Sequence, residues 1–183
     1  MADLAVREIE EIPGFFVIDL VLHGDTRGWF KENYQKEKME KLGLPDFKII
    51  QNNFSFNAER GVTRGLHAEP WDKFVSLANG RVYCAWVDLR KGTSFGKSFA
   101  LELTPEVAVF VPRGVANGYQ TLETNITYTY LVNAHWSPDA QYAAVNLFDP
   151  EVGIEWPIKQ SDAIISDKDA ANPMLKDVEP MEF

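Results

Sequence analysis

The sequence has few of the residues that would commit it to disulfide or membrane chemistry. A single cysteine, Cys84, occurs in 183 residues, so no disulfide can form within the chain and a reducing cytoplasm is the expected compartment. Cys84 lies in an apolar segment, where a small buried hydrophobe is expected. No apolar run approaches the roughly 18 residues of a membrane span, and the charged first residues are not those expected of a signal peptide.

Basic residues are also scarce. Lysine and arginine number 18 against 27 aspartates and glutamates, for a formal charge of -9. This balance argues against a nucleic-acid-binding face, which needs a basic surface, but it leaves room for a small anion held by a local basic cluster. A hydrophobic fraction of 45% and an aromatic fraction of 13% are typical of a globular chain with one sizeable core.

Only three histidines are present, His23, His67 and His135. No His-X-His pair occurs, which disfavours a histidine-rich transition-metal site and leaves a carboxylate-rich one open. The chain also lacks a Gly-X-Ser-X-Gly nucleophile motif, a glycine-rich phosphate loop and an internal repeat. A doubly wound nucleotide-binding fold is therefore not expected.

What the chain does contain is a series of short β-type runs, about ten residues apart, separated by Gly, Pro and Asn turn residues. This spacing predicts an all-β antiparallel sandwich or barrel of the jelly-roll type. The predicted strands in the region from 74 to 148 are Phe74–Ala78, Arg81–Leu89, Ser98–Leu103, Val107–Val111, Gly118–Leu122, Ile126–Val132 and Ala143–Phe148.

The flanking regions predict a few further elements. Strands are expected over 13–23 and 47–56, with a helix between them that is capped by Asn33, runs to Leu42 and is ended by Gly43. A second, short helix is expected to start at Ser166. The sequence there is also a capping box, with Asp169 three residues after the serine.

The stretch from Gly61 to Lys73 combines three basic side chains and is the strongest candidate for a site. Arg64, His67 and Lys73 lie within it, and together they suggest an anion site with a proton acceptor beside it. Strand alternation would put Arg64 and His67 on opposite faces, whereas a bend at Gly65 would bring them to one cavity. The alternative is a structural histidine with solvated cations.

A set of motifs occurs in a fixed order along nearly the whole chain. They are Asp25-Thr-Arg27-Gly28-Trp-Phe30, Gln51-Asn-Asn53, Arg64-Gly-Leu-His67, Lys73-Phe-Val, Trp86-Val-Asp88-Leu-Arg90-Lys-Gly92, Phe95-Gly96, Phe110-Val-Pro112-Arg-Gly114-Val-Ala116-Asn-Gly118, Tyr130, Gly153-Ile-Glu-Trp156-Pro157 and Ser166-Asp-Lys-Asp169. In this order they resemble the motifs of the dTDP-4-dehydrorhamnose 3,5-epimerases. The segment His67-Ala-Glu-Pro-Trp-Asp-Lys73 is closest to a branch with a shorter loop found in some Gram-positive bacteria.

The resemblance implies a cupin-like double-stranded jelly roll with a few short helices. It implies one domain over 1–183, with a core jelly roll at about 45–150, an N-terminal strand and helix arm over 1–44 and a C-terminal loop and helix tail over 151–183. It further implies a homodimer, no metal in catalysis and no cofactor. The implied reaction inverts C3 and C5 of dTDP-4-dehydro-6-deoxy-D-glucose.

By the same resemblance, His67 is the catalytic base, Asp169 the carboxylate that holds it, Tyr130 the acid on the opposite face of the sugar and Lys73 the cation at the enolate oxygen. The implied substrate-binding residues are Arg64, Arg27, Phe30, Glu32, Gln51, Asn53, Asn117 and Trp136.

Alternative interpretations exist for these residues and for the whole protein. Without the resemblance, Asp169 would be interpreted as a helix cap and Tyr130 as a half-buried strand aromatic. The rival functions are an epimerase that inverts one centre only, a non-catalytic protein that binds sugar nucleotides, and a metal-dependent oxygenase of the cupin type.

Overall fold

The computed structural model describes residues 3–183, and short strands make up most of its regular structure. The strands are β1 Ala5–Glu8, β2 Phe16–Asp19, β3 His23–Asp25, β4 Gly28–Phe30, β5 Gln51–Asn57, β6 Thr63–Ala68, β7 Lys73–Asn79, β8 Val82–Asp88, β9 Ser98–Leu103, β10 Val107–Val111, β11 Val115–Thr121, β12 Ile126–Val132 and β13 Ala143–Ala144. The helices are α1 Lys36–Lys41 and α2 Asp167–Ala170, with 3-10 turns at Gln160–Asp162 and Leu175–Asp177.

Two antiparallel sheets form the body of the fold. The first has the strand order β1-β2-β10-β7-β12-β5 and the second the order β13-β6-β11-β8-β9, while β3 and β4 form a separate hairpin. Neighbours that are distant in sequence, such as β7 beside β12, indicate the crossed connections of a jelly roll. The predicted all-β, cupin-like jelly roll with short helices is confirmed.

The main core lies between the inner faces of these two sheets. Val75 and Tyr128 of the first sheet and Trp86 of the second belong to one buried cluster. Cys84 is fully buried in the same cluster, as expected, and burial raises the pKa of its thiol well above the usual value. None of the helices in residues 3–183 has the length and apolar character needed to span a bilayer.

The predicted and observed boundaries of the strands agree best in the middle of the chain. There, β9, β10 and β12 begin and end at the predicted residues. The N-terminal predictions need correction. The strand predicted over 13–23 is interrupted after Asp19, and α1 starts at Lys36 because the Gln35 side chain, not Asn33, accepts the first-turn hydrogen bond, from Lys38 N at 2.7 Å. The strand predicted over 47–56 starts only at Gln51, because Phe47 is buried in a separate cluster beside α1.

Candidate active site

A cavity of about 300 Å³ opens between the two sheets, and we call it the central cavity. It brings together the four residues predicted to be catalytic, and Arg64 and Asn117 from the predicted binding set. Its walls consist of Ser55, Arg64, Gly65, His67, Glu69, Lys73, Asn117, Tyr119, Tyr128, Tyr130, Ser166 and Asp169.

A bulge in β6 explains how Arg64 and His67 reach the same cavity. In the pairing with β11, Asn117 is opposite His67 and Tyr119 is opposite Arg64, so three steps along β6 match two along β11. The extra residue cancels the alternation that would otherwise separate the two side chains. Gly65 lies inside this bulge with φ +113°, and a Cβ there would lie 2.6 Å from the carbonyl oxygen of Asn117. The predicted bend at Gly65 is confirmed.

His67 is held by a carboxylate from the far end of the chain. Its Nε2 donates to Asp169 Oδ1 at 2.7 Å, so the other ring nitrogen, Nδ1, is free of this interaction. The His67 side chain is 38% exposed whereas that of Asp169 is 7% exposed. A buried carboxylate behind a partly exposed imidazole fixes the ring tautomer and stabilises the imidazolium that forms when the ring accepts a proton.

The short helix α2 positions Asp169 and also satisfies the predicted cap. Ser166 Oγ accepts a hydrogen bond from Asp169 N at 3.1 Å, as a serine N-cap does. The Asp169 carboxylate, however, faces β6, where Gly65 N donates to Oδ2 at 3.3 Å. Asn172 Nδ2 donates to Gly65 O at 3.1 Å. The helix is therefore tied to the bulge, and the cap and the histidine partner coexist at one residue.

Tyr130 reaches the central cavity from the opposite sheet, since it belongs to β12 while His67 belongs to β6. It is the last of a row of tyrosines, in which the Tyr119 and Tyr128 rings stack with centroids 4.1 Å apart and Tyr130 lies 6.2 Å from Tyr128. Burial raises the pKa of the Tyr130 phenol. The phenol is thus protonated near neutral pH and able to act as an acid.

Lys73 starts β7, one residue before the predicted strand Phe74–Ala78, and its side chain is only 6% exposed. Its ammonium contacts the carboxylate of Glu69 inside the central cavity. Sequence reasoning did not single out Glu69. Its place between His67 and Lys73 in the matching motif was the only signal available, because no spacing rule links a carboxylate in a turn to a lysine four residues on.

Asn117 presents a fixed amide to the central cavity. Its Oδ1 accepts from Trp86 Nε1 at 2.7 Å and from the Tyr128 hydroxyl at 3.1 Å. Because the indole can only donate, the amide oxygen must face the core. The Asn117 NH2 group therefore remains as a donor for a ligand.

The remaining predicted binding residues lie outside the central cavity. Trp136 lines an adjoining space that His67 and Tyr130 also line. Gln51 and Asn53 share a β5 face with the cavity residue Ser55 and hydrogen-bond each other at 2.7 Å.

The structure does not bring Arg27, Phe30 or Glu32 to this cavity. Arg27 and Phe30 lie on the β3–β4 hairpin, and Arg27 pairs with Asp25. Glu32 pairs with Lys38 at the surface. Their assignment to the nucleotide stays a prediction.

The donor set of the central cavity is suited to proton transfer. It offers one imidazole, two carboxylates, an ammonium and phenols. In residues 3–183 no group of three His, Cys, Asp or Glu side chains has the geometry to hold a metal ion.

Comparison with known proteins gives the family. The family model of dTDP-4-dehydrorhamnose 3,5-epimerase matches residues 10–177, which is most of the chain. The chain belongs to the dTDP-4-dehydrorhamnose 3,5-epimerase family. This confirms the family that its motifs indicated. Epimerases are isomerases, so the protein is assigned to that class of enzyme.

Individual relatives agree with this assignment. A Streptococcus pyogenes protein named RmlC homolog is 48% identical over 98% of this chain and 93% of its own length. A Sinorhizobium fredii dTDP-4-dehydrorhamnose 3,5-epimerase is 34% identical over 87% of this chain and 84% of its own. The solved structure of RmlC from Streptococcus suis in complex with dTDP-D-xylose superposes with a TM-score of 0.93 at 48% identity, covering 98% of this chain and 95% of that chain.

Proposed function

We propose that this epimerase inverts C3 and C5 of dTDP-4-dehydro-6-deoxy-D-glucose and so produces dTDP-4-dehydro-L-rhamnose for dTDP-L-rhamnose biosynthesis. The observation that carries the proposal is the placement of the His67–Asp169 pair and Tyr130 on opposite sheets across one cavity. Inversion at carbon requires a proton to leave from one face and another to arrive at the opposite face, and this arrangement supplies a group for each.

In the proposed reaction His67 is the base. The C4 ketone acidifies the hydrogens on C3 and C5, so one base can remove either proton and leave an enolate with its charge on the same oxygen. The proton goes to the imidazole, and the electron pair of the C–H bond moves into the enolate. Asp169, 2.7 Å from Nε2, stabilises the imidazolium, and His67 returns its proton to solvent before the second carbon reacts.

Lys73 and Tyr130 complete the proton transfers. The Lys73 ammonium, buried in the cavity wall, stabilises the negative charge that develops on the C4 oxygen. Tyr130 donates its phenol proton to the carbon from the other face and is then reprotonated from solvent. Every step is a proton transfer, so the scheme requires no cofactor.

The nucleotide half of the substrate is assigned to the exposed end of the central cavity. Arg64 Nε donates to Asn57 Oδ1 at 3.1 Å, which orients a guanidinium whose other donors can pair with a phosphate in bidentate fashion. Asn117, Trp136 and the amides of Gln51 and Asn53 are proposed as further contacts to the sugar and pyrophosphate.

We also propose that the working enzyme is a homodimer in the cytoplasm. β5 is an edge strand of the first sheet, and its Phe54 and Phe56 side chains are 67% and 61% exposed. An apolar edge strand is a favourable surface for a second chain. In such a dimer, Arg27 and Phe30 of one chain would serve the central cavity of the partner chain rather than that of their own chain. Sedimentation of Phe54→Ser and Phe56→Ser tests this, because a dimer unaffected by both changes would place the interface elsewhere.

The reaction is tested by proton NMR of the protein with dTDP-4-dehydro-6-deoxy-D-glucose in heavy water. Deuterium is expected at both C3 and C5. Label at one carbon only would indicate a single-centre epimerase, and no label with the nucleotide bound would indicate a binding protein.

Two variants test the residue roles in the same assay. His67→Ala should abolish exchange at both carbons, and full activity in this variant would remove His67 as the base. Tyr130→Phe should retain some exchange and lose net inversion. Tyr83→Phe, a tyrosine packed against Trp156 outside the central cavity, is the matched control and should behave as wild type.

A further inference from the structure

Glu69 is a charged residue in the central cavity to which neither the motifs nor the proton transfers assign a task. Its side chain is 18% exposed and its carboxylate contacts Lys73. Apart from this contact, the buried Oε2 atom of Glu69 has no hydrogen-bond partner among the described residues. Glu69 also lines the adjoining space beside Tyr130. It therefore lies among the groups that carry the chemistry.

The turn that carries Glu69 is hydrogen-bonded to neighbouring segments at both of its ends. Gly114 N donates to the Glu69 carbonyl oxygen at 2.9 Å. The turn is tied again at Asp72, one residue before Lys73. Arg113 N donates to Asp72 Oδ1 and Asp72 N donates to Asn133 Oδ1, both at 2.9 Å. These hydrogen bonds fix the turn that separates Glu69 from Lys73, and so favour the contact between their charged groups.

Glu69 also influences Tyr130 through space. Burial is the main cause that raises the pKa of the Tyr130 phenol, and the negative charge of Glu69 is the next. Tyr119 acts in the same direction and Arg64 opposes it. The titratable and charged groups that share the central cavity with this phenol are Arg64, His67, Glu69, Lys73, Tyr119, Tyr128 and Asp169.

We propose that Glu69 is a positioning residue of the epimerase that acts through Lys73 and Tyr130 rather than on the sugar. This inference rests on the proposed function. By its ion pair Glu69 fixes the Lys73 ammonium where the enolate oxygen forms. By its charge it disfavours the phenolate of Tyr130, so that the phenol keeps the proton it has to deliver.

The first test needs no substrate. Glu69→Gln keeps the shape of the side chain and removes its charge, and Glu151→Gln, an exposed glutamate, is the matched control. In protein labelled at the tyrosine ring carbon that bears the hydroxyl, NMR follows each phenol as the pH rises, and Tyr130→Phe identifies the Tyr130 signal. Glu69→Gln should lower the titration midpoint of Tyr130 relative to both wild type and Glu151→Gln, and Glu69→Asp should restore much of it. An unchanged midpoint in Glu69→Gln overturns the charge effect.

The second test uses the reaction. Glu69→Gln should lower kcat by roughly 10- to 100-fold, as expected for a misplaced catalytic group, with KM changed less than about twofold. The fall in rate at alkaline pH should begin at a lower pH than in wild type. A kcat equal to that of the control variant overturns the positioning of Lys73.

The two tests also separate the inference from the proposed function. If wild type itself incorporates no deuterium, the proposed function fails, whereas the titration of Tyr130 still decides whether Glu69 controls the phenol. Thermal unfolding of each variant shows whether it is folded. If Glu69→Gln is unfolded, the Tyr130 titration and the kcat of the conservative Glu69→Asp variant test the inference instead.

Discussion

Replacing Asp169 by asparagine should uncouple the base from its carboxylate while leaving the cavity intact. The two side chains have the same shape, and the buried carboxylate is tied to His67 Nε2 at 2.7 Å and to Gly65 N at 3.3 Å. An asparagine oxygen still accepts one of these bonds. What disappears is the negative charge beside the ring when the imidazole becomes an imidazolium.

The magnitude follows from that bond. A hydrogen bond to a charged group is worth about 1.5–3 kcal/mol, which corresponds to a loss of roughly 10- to 150-fold in kcat at 1.36 kcal/mol per tenfold. If the asparagine NH2 turns toward His67, the ring must carry its proton on Nδ1 and can no longer accept one from the sugar. The loss then approaches the ~10⁴-fold upper limit for general base catalysis.

Deuterium incorporation at C3 and C5 under single-turnover conditions is the assay, because it reports proton removal without product release. The matched control is Asp167→Asn, which removes an exposed acid from the first turn of the same helix. The control should keep the wild-type exchange rate. An Asp169→Asn variant that exchanges both positions at the wild-type rate would refute the reasoning that places this carboxylate behind the base.

Four further outcomes follow from single residues. Gly65→Ala should destabilise the fold by about 2 kcal/mol or more, measured by urea unfolding, since the new Cβ would meet the backbone of Asn117 at 2.6 Å. Arg64→Ala should weaken dTDP binding by roughly 10- to 150-fold by calorimetry, the equivalent of one charged hydrogen bond, whereas unchanged affinity would place the phosphates elsewhere. Burial lowers the pKa of Lys31 to about 8 from 10.5, so the unfolded chain binds more protons between these pH values and wild type should gain stability relative to Lys31→Met as pH rises through that window. Cys84 should resist thiol reagents in the native state and react on unfolding, because it is fully buried.

Local sequence rules were sufficient for much of the jelly roll. The ranges 98–103, 107–111 and 126–132 coincide with strands, because alternating residues bounded by turns describe a strand whose two faces meet different environments. They failed at the N-terminal arm, where Asn33 and Gln35 are competing capping residues and the structure uses Gln35. Such choices depend on which neighbouring side chains pack against the core, and that information is not local.

The candidate site also contains residues that local sequence rules identify and pairings that such rules cannot identify. Arg64, His67 and Lys73 are close in sequence and stood out as a cluster, yet strict alternation would have separated the first two. Only the extra residue in β6, which Gly65 permits, places them in one cavity. His67 and Asp169, in contrast, are 102 residues apart, and no spacing rule could pair them. That pairing came from family resemblance and is now explained by a helix hydrogen-bonded to the bulge.

The two-sheet architecture also explains why local sequence could indicate His67 as a proton acceptor but could not pair it with the acid Tyr130. A group that removes a proton and a group that replaces it from the other face must point toward each other across the width of a sugar ring. Two residues of one strand cannot do so, because they share a face or point to opposite sides of their own sheet. His67 on β6 and Tyr130 on β12 satisfy the requirement because the sandwich sets their sheets face to face. The stereochemistry of the proposed reaction is therefore a property of the fold, and it would persist in any variant that kept these two strands and their side chains in place.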